Sequence, residues 1–371
     1  MIKKFTVKNY KGFKDEITLD FSDIKNYQFN TFAVKNKLIN YAIVYGKNGS
    51  GKSNLGLALF DLIIHLTDKQ KDDFQFINYL NGNGTEDYAT FIYEFVIDNY
   101  EYVYHYQKTS ADKLTYEELS INKTKIFSYN FKNHKSDFSG LKAIDAQFLR
   151  VSENINISVL RYIAYNANLS DKNPIQKLMR FINNMLWIRS ATDGNKYMGF
   201  ENGTGLLTED IIKSNKVNEL ELFLRENGIN YKLGVVKNHI GQDVLVALYN
   251  YRIYDFMQIA SHGTRVLLLY FYWLQKFKKA SFVFIDEFDA FFHTFLAEDM
   301  LRNLFKKINS QLIITTHNTD LMSNNILRPD CYFIISDGKI RSLPNCTERE
   351  LREGHNLENL FRKGEFDGKY C

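Results

Sequence analysis

Five apolar residues, Tyr41-Ala42-Ile43-Val44-Tyr45, run directly into Gly46-Lys47-Asn48-Gly49-Ser50-Gly51-Lys52-Ser53, and a helical pattern from Leu55 to Leu66 follows. A continuous apolar run that stops at a glycine is the pattern of a strand buried on both faces. The octet after it satisfies G-x-x-x-x-G-K-[ST] in full, in the strand–loop–helix context that the motif requires. Glycines let backbone N–H groups turn inward around phosphate oxygens, and the helix that starts there adds its dipole. In such a loop Lys52 reaches the β/γ-phosphates and Ser53 ligates Mg²⁺. The competing reading is a chance glycine-rich turn, which the flanking strand and helix oppose.

A second strand carries acids. Phe282-Val283-Phe284-Ile285 is apolar and ends in Asp286-Glu287. Asp286 suits outer-sphere Mg²⁺ binding as a Walker-B acid. Glu287, one residue on, suits a general base that polarises the attacking water. Alone, the pair reads equally well as an acidic helix cap; beside an intact phosphate loop, the catalytic reading prevails. Lys52 and Asp286 are separated by most of the chain. Simple GTPases and small kinases therefore fit poorly. The spacing predicts an ATPase whose first and last strands meet from opposite ends of the chain.

From Thr264 onward the pattern alternates: helix, strand 282–285, helix 295–308, strand 311–315, short helix, strand 331–335. Such alternation predicts an α/β layer with a parallel sheet. Residues 2–10 and 17–21 read as short strands, 88–107 as a hairpin turning at Asp98-Asn99, 154–190 as helical, Glu209 to Arg225 as helical, and 229–257 as strands. The stripe Tyr102, Tyr104, Tyr106 reads as sheet-face packing rather than a base-stacking surface. Lys276, Lys278 and Lys279 read as a solvated helix end. His293, six residues after Glu287, reads as a structural histidine rather than one beside the attacking water; His65, His105, His134, His239 and His355 show no metal-ligand spacing.

Composition narrows the class. The chain has 371 residues, 45% hydrophobic and 15% aromatic, which excludes global disorder. A formal charge of +4 is too weak to announce a nucleic-acid binder. Cys331, Cys346 and Cys371 lack ligand-like spacing, so a reducing cytoplasm is expected. The longest apolar run, Val266 to Leu274, is less than half a membrane span.

Taken together, these segments resemble the ABC-type ATPases of the RecF, SMC and OLD-nuclease group. Ala260-Ser261-His262-Gly263-Thr264-Arg265 stands before a helix, where that superfamily keeps its signature loop. The resemblance implies that Ser261 and the N–H groups around Gly263 meet the γ-phosphate held by an opposing subunit; His262 replaces a glycine of the transporter form. Simple capping by Ser261 is the plainer alternative. Thr315-Thr316-His317 resembles the switch segment, with His317 bonding the γ-phosphate. Phe288-Asp289-Ala290 matches the loop that crosses the dimer interface, with Asp289 as its polar contact. Asn9-Tyr10-Lys11-Gly12-Phe13 resembles the Asn-Phe-Arg-Ser-Phe segment of RecF/SMC proteins, which implies a phosphate contact from Lys11. Asp-Glu-Phe-Asp-Ala-Phe, His317-Asn318, Arg328-Pro329-Asp330 and the tail Leu351 to Leu357 are similar to ATPases of phage-defence and abortive-infection operons, which act with a second, effector protein.

The expected fold is α/β: an ABC-ATPase head with a mixed sheet around the phosphate loop, an antiparallel β-subdomain and a helical lobe. Residues 1–66 and 255–343 are expected to form the nucleotide-binding core, 67–254 the β-subdomain and helical insertion, and 344–371 a tail. The resemblance implies an ATP- and Mg²⁺-dependent ATPase, a cytoplasmic homodimeric switch controlling an effector in anti-phage defence. The competing reading is a RecF-like ATP-dependent DNA-binding protein in repair, which makes nucleic acid a second candidate partner. No acidic nuclease triad follows residue 343, so nuclease activity is not expected.

Overall fold

The computed structural model describes residues 1–69, 76–152, 155–189, 197–199, 207–288 and 294–366. Among them, a seven-stranded mixed sheet forms the centre, in the order Tyr197–Gly199, Met185–Arg189, Phe282–Asp286, Gln311–Thr316, Tyr41–Tyr45, Tyr332–Ser336, Lys339–Ser342. The five inner strands pair in parallel and the two edge strands antiparallel. Tyr41–Tyr45 and Gln311–Thr316, from opposite ends of the sequence, lie side by side with Val44 opposite Thr315 and Tyr45 opposite Thr316. The meeting of chain ends that the motif spacing predicts is therefore present. Every residue of Tyr41–Tyr45, Phe282–Asp286 and Gln311–Thr316 is buried, as strands covered on both faces must be.

Met185–Arg189 departs from the helical reading of 154–190. That segment folds as helices Val159–Asn166 and Pro174–Asn183, then as a strand parallel to Phe282–Asp286. Met185-Leu186-Trp187-Ile188 is an unbroken apolar run, and its burial beside the acid strand decides its conformation. The expected core boundaries also shift. Met185–Arg189 joins the nucleotide sheet from within 67–254, while Ile2–Lys8 and Ile17–Asp20 join the antiparallel sheet instead.

That second sheet has seven strands, running from Ser136–Asp137 through Thr124–Asn130, Lys113–Ile121, Tyr100–Ser110, Ala89–Ile97 and Ile2–Lys8 to Ile17–Asp20. Its strands alternate buried and partly exposed residues, so one face is dry. Phe91, Tyr93, Phe95, Tyr102, Tyr104 and Tyr106 fill that face, which confirms packing for the tyrosine stripe. Tyr93 donates its hydroxyl to the Ala58 carbonyl at 2.8 Å, which docks the sheet onto the helix leaving the phosphate loop.

The Leu55–Leu66 helix is two helices, Lys52–Leu59 and Leu62–Leu66, parted at Phe60-Asp61. The break follows from Asp61. Its carboxylate is fully buried and accepts from Lys108 Nζ at 2.7 Å, the Tyr79 hydroxyl at 2.9 Å and the Tyr106 hydroxyl at 2.8 Å. A buried carboxylate needs such partners, and they lie on the β-sheet and its flank. Nearby, Glu117 accepts from Ser158 Oγ and the Val159 and Leu160 N–H groups at the start of the next helix, although burial holds its carboxyl above the ordinary range.

A three-stranded antiparallel sheet, Leu233–Lys237, Asp243–Leu248 and Ile253–Asp255, completes the second lobe with helices Leu207–Lys213 and Val217–Glu226. No helix among the described residues is long and apolar enough to cross a membrane.

Lys108→Met leaves Asp61 buried without its cation and should lower the unfolding free energy by about 3–5 kcal/mol. Asp61→Asn combined with Lys108→Met should cost less than Lys108→Met alone. Urea denaturation of the two variants measures the difference, and equal losses would show that the ion pair does not organise this interface.

Candidate functional site

Tyr41–Tyr45, Phe282–Asp286 and Gln311–Thr316 stop at the same edge of the central sheet, because Ile285 pairs with Ile314 and Tyr45 with Thr316. Each strand therefore delivers its next residues to one place: Gly46 and the phosphate loop, Asp286-Glu287, and His317. Crevices at the carboxyl ends of parallel strands are where α/β sheets bind ligands.

The loop keeps its shape through its glycines. Gly51 has φ +107°, a region closed to most side chains, and a Cβ there would fall 2.7 Å from Phe13 Cε1. A Cβ on Gly46 would fall 2.3 Å from Ser50 Oγ. Lys52 is only 6% exposed; its ammonium curls back to the Gly46 carbonyl at 2.8 Å and the Lys47 carbonyl at 3.2 Å. Ser50 Oγ is buried without a hydrogen-bond partner. A cationic ammonium held against two carbonyls of a glycine-rich loop that also carries an orphaned hydroxyl fits a polyphosphate. Lys47, Asn48, Gly49 and Ser53 occupy the rest of the loop, and Ser53 stands in the first turn of the helix Lys52–Leu59.

At the acid strand, Asp286 is 4% exposed and accepts from the Thr315 hydroxyl at 2.6 Å. The same Thr315 Oγ1 accepts from the Glu287 N–H at 2.8 Å. Glu287 has φ +52°, a left-handed conformation uncommon for a residue with a side chain. Held by Thr315 on one side and by fully buried Phe288 on the other, it turns the chain sharply at the strand end. One hydroxyl thus joins both acids. Sequence reasoning passed over Thr315; its signal is a hydroxyl, 0% exposed, directly after the apolar run Leu312-Ile313-Ile314. The donor set of Ser53 and Asp286 suits Mg²⁺, a hard cation that prefers oxygen. No group of three or more His, Cys, Asp or Glu residues among the described residues offers another metal site.

His317 lies exposed just past Thr316, at the edge that carries the phosphate loop. Asn318 follows, its side chain capping the turn Thr319–Leu321 by accepting from the Asp320 N–H at 3.0 Å. The N-terminal segment does abut the loop, through Phe13 against Gly51. Lys11 has φ +47°, and its ammonium donates to the Ile77 carbonyl at 2.6 Å.

Ser261 and Gly263 are exposed at the start of helix His262–Phe277. The Ser261 hydroxyl accepts from the Thr264 N–H at 3.2 Å, so the capping geometry is present. No hydrogen bond among the described residues links Ser261 to the phosphate loop of its own chain. Asp289 and His293 lie outside the described residues, as does Cys371; Cys331 and Cys346 are buried free thiols.

The mixed sheet, the phosphate loop at its end and the antiparallel lobe docked on the following helix form an α/β nucleotide-binding fold of the P-loop kind. Residues 42–323 match the family described as "AAA domain, putative AbiEii toxin, Type IV TA system", and the chain belongs to that family. No curated protein matches the chain. Among solved structures, it is similar to an SMC head bound to the C-winged helix domain of ScpA, at 16% identity and TM-score 0.48 over 92% of this chain and 97% of that one. The SMC head domain from Thermotoga maritima is 15% identical, with TM-score 0.42 over 92% and 97%. An SMC head with an extended coiled coil, bound to the C-terminal domain of ScpA and derived from Pyrococcus furiosus, is 14% identical, with TM-score 0.45 over 92% and 95%.

Gly51→Ala forces a side chain into a left-handed position and onto Phe13. About 1–3 kcal/mol of strain is expected there, which should weaken ATP binding about tenfold or more. Titration with a fluorescent ATP analogue measures the loss; unchanged affinity would show that the loop tolerates a Cβ.

Proposed function

We propose that this chain binds ATP with Mg²⁺ and hydrolyses it to ADP and phosphate, as a dimeric switch that controls an effector protein in anti-phage defence. The observation that carries the reading is the convergence of the phosphate loop, Asp286, Glu287 and His317 on one sheet edge, with Thr315 joining the two acids. In this account the loop N–H groups and Lys52 hold the β- and γ-phosphates and stabilise charge that develops as the terminal bond breaks. Ser53 and Asp286 would hold Mg²⁺, whose charge would offset that of the phosphates. Glu287 takes the proton of the attacking water while the water oxygen bonds to the γ-phosphorus and the β–γ bridging oxygen leaves with ADP. His317 faces the γ-phosphate and senses its departure.

The exposed Ser261–Gly263 cradle supports the dimer. It is a helix N-terminus that, among the described residues, makes no hydrogen bond to its own phosphate loop, and such an N-terminus suits an anion held by a second copy. Asp289 would lie along the same interface. Lys11, tied to Ile77 in this conformation, would reach phosphate only by exchanging that carbonyl. The family's association with a toxin of type IV toxin–antitoxin systems supports an effector partner and the abortive-infection role. It favours this reading over a RecF-like DNA clamp.

Glu287→Gln should reduce turnover by at least about a hundredfold, the scale of a lost general base, while ATP binding persists. Phosphate release and nucleotide titration measure the two separately, and wild-type turnover would remove Glu287 from the role of base. Thr315→Val deletes the hydroxyl that positions both acids. It should lower kcat more than it changes ATP affinity, and Thr315→Ser should restore much of the rate; equal rates for the Val and Ser variants would contradict the positioning role.

A further inference from the structure

A pocket of about 570 Å³ opens at the amino end of the strand Tyr41–Tyr45, the end away from the phosphate loop. Its wall is aromatic. Tyr41 and Phe305 stack with ring centroids 4.7 Å apart, and Phe32, from the turn Thr31–Ala33, stands 6.2 Å from Tyr41 and 6.5 Å from Phe305. Tyr41 and Phe305 are buried, whereas Phe32 is 51% exposed.

Part of this arrangement serves the fold. The Tyr41 hydroxyl donates to the Phe305 carbonyl at 2.9 Å and the Ile308 carbonyl at 2.6 Å, which ties the end of the helix Thr294–Lys307 to the strand. Packing does not explain the rest. Phe32 lays a large apolar ring against a concave surface rather than in the core. Asn40, on the same wall, is 3% exposed, and its Oδ1 accepts no hydrogen bond among the described residues. Because the Tyr41 hydroxyl commits its proton to carbonyls, toward Asn40 it can only accept. The amide therefore turns its NH₂ group to the hydroxyl and keeps its oxygen for another donor. A buried acceptor without a donor costs free energy that the N–H of a ligand would recover.

Charge completes the site. Lys35, Arg302 and Lys306 line the pocket, and no carboxylate does. Glu298 pairs with Arg302 at 2.6 Å, while Lys35 and Lys306 are exposed and form no ion pair among the described residues. The accessible apolar side chains on the wall are Phe32 and half-buried Val34; Ile308 and Ile326 are buried. That is too little for the core of a protein–protein interface of standard size, but enough to cover one face of a small ring. A concave, largely apolar pocket with a few placed polar groups is the form of a small-molecule site.

We infer that this pocket binds a small heteroaromatic anion. Its ring lies against Phe32, a ring N–H donates to Asn40 Oδ1, and its carboxylate or phosphate meets Lys35 or Lys306. The site is separate from the phosphate loop and independent of the hydrolysis reading.

Isothermal titration calorimetry of the full chain tests this with two probes. Indoleacetate combines a ring N–H with a carboxylate, and guanosine monophosphate combines ring N–H donors with a phosphate. Saturable binding of either, with Kd below about 1 mM, supports the inference, and the tighter probe names the kind of anion. Affinity should be the same in Lys52→Ala, which removes any contribution of the phosphate loop. Naphthaleneacetate has the shape and charge of indoleacetate without the N–H, and should bind at least about fivefold more weakly. Asn40→Ala should erase that difference and weaken guanosine monophosphate. Lys35→Gln/Lys306→Gln changes only exposed side chains, should weaken both probes at least about fivefold, and carries the test if Asn40→Ala does not fold. Basal ATP turnover should be unchanged in both variants. Absence of binding by both probes, loss of binding in Lys52→Ala, or measurable naphthaleneacetate binding as tight as that of indoleacetate would overturn the inference. So would unaltered affinity in the lysine variant, or tighter binding of an oligonucleotide than of either probe.

Discussion

The parallel pairing of Tyr41–Tyr45 with Gln311–Thr316 is the contact on which the rest of the molecule depends. It closes the chain from its two ends and, with the pairing of Phe282–Asp286 to Gln311–Thr316, aligns three strands so that their final residues share an edge. On its other side Gln311–Thr316 pairs with Phe282–Asp286, and a shift of one residue there would turn Asp286 and Thr315 away from each other, since side chains alternate across a strand. The hydrogen bonds from Thr315 to Asp286 and from Glu287 to Thr315 fix that register chemically. They also hold Glu287 in its left-handed conformation, which places strain where the proposed chemistry occurs.

Around this edge the antiparallel lobe acts as a support rather than a separate body. Tyr93, Tyr106 and Lys108 reach from the sheet into the helical segment behind the phosphate loop, Tyr93 to the Ala58 carbonyl, and Asp61 breaks that helix to receive Tyr106 and Lys108. Burial of an ion pair is costly unless every lone pair is used, and here two tyrosine hydroxyls complete the set. Arg328 and Asp330 do similar work at the other flank, where Arg328 bonds Asp330 at 2.7 Å and the Tyr27 carbonyl at 3.3 Å, tying the early chain to the turn before Tyr332–Ser336.

The phosphate loop, the acid strand and the His317 strand were legible in the sequence because each is a local pattern with a defined chemistry. What the sequence hid is long-range. Met185–Arg189 follows a helix with an unbroken apolar run, and such a run fits a helix or a strand until a neighbour selects one. The break at Asp61 is invisible locally, since its cause lies at Lys108, Tyr79 and Tyr106. Ile2–Lys8 and Ile17–Asp20 announced strands but not their sheet, because alternation gives a face and not a partner. Thr315 escaped for the same reason: its role exists only once Asp286 is beside it.

The central claim, that ATP is hydrolysed at a site shared between two copies, is tested most directly by mixing two inactive proteins. Ser261→Arg places bulk and charge at the cradle offered to the opposite copy and leaves its own phosphate loop intact. Lys52→Ala removes the main cationic contact to the β/γ-phosphates at its own site and leaves its cradle intact. In a mixed dimer the Lys52 of the first faces the Ser261 of the second. The account predicts that each protein alone is inactive and that mixing them restores part of the wild-type phosphate release. Full activity of Ser261→Arg alone would contradict it.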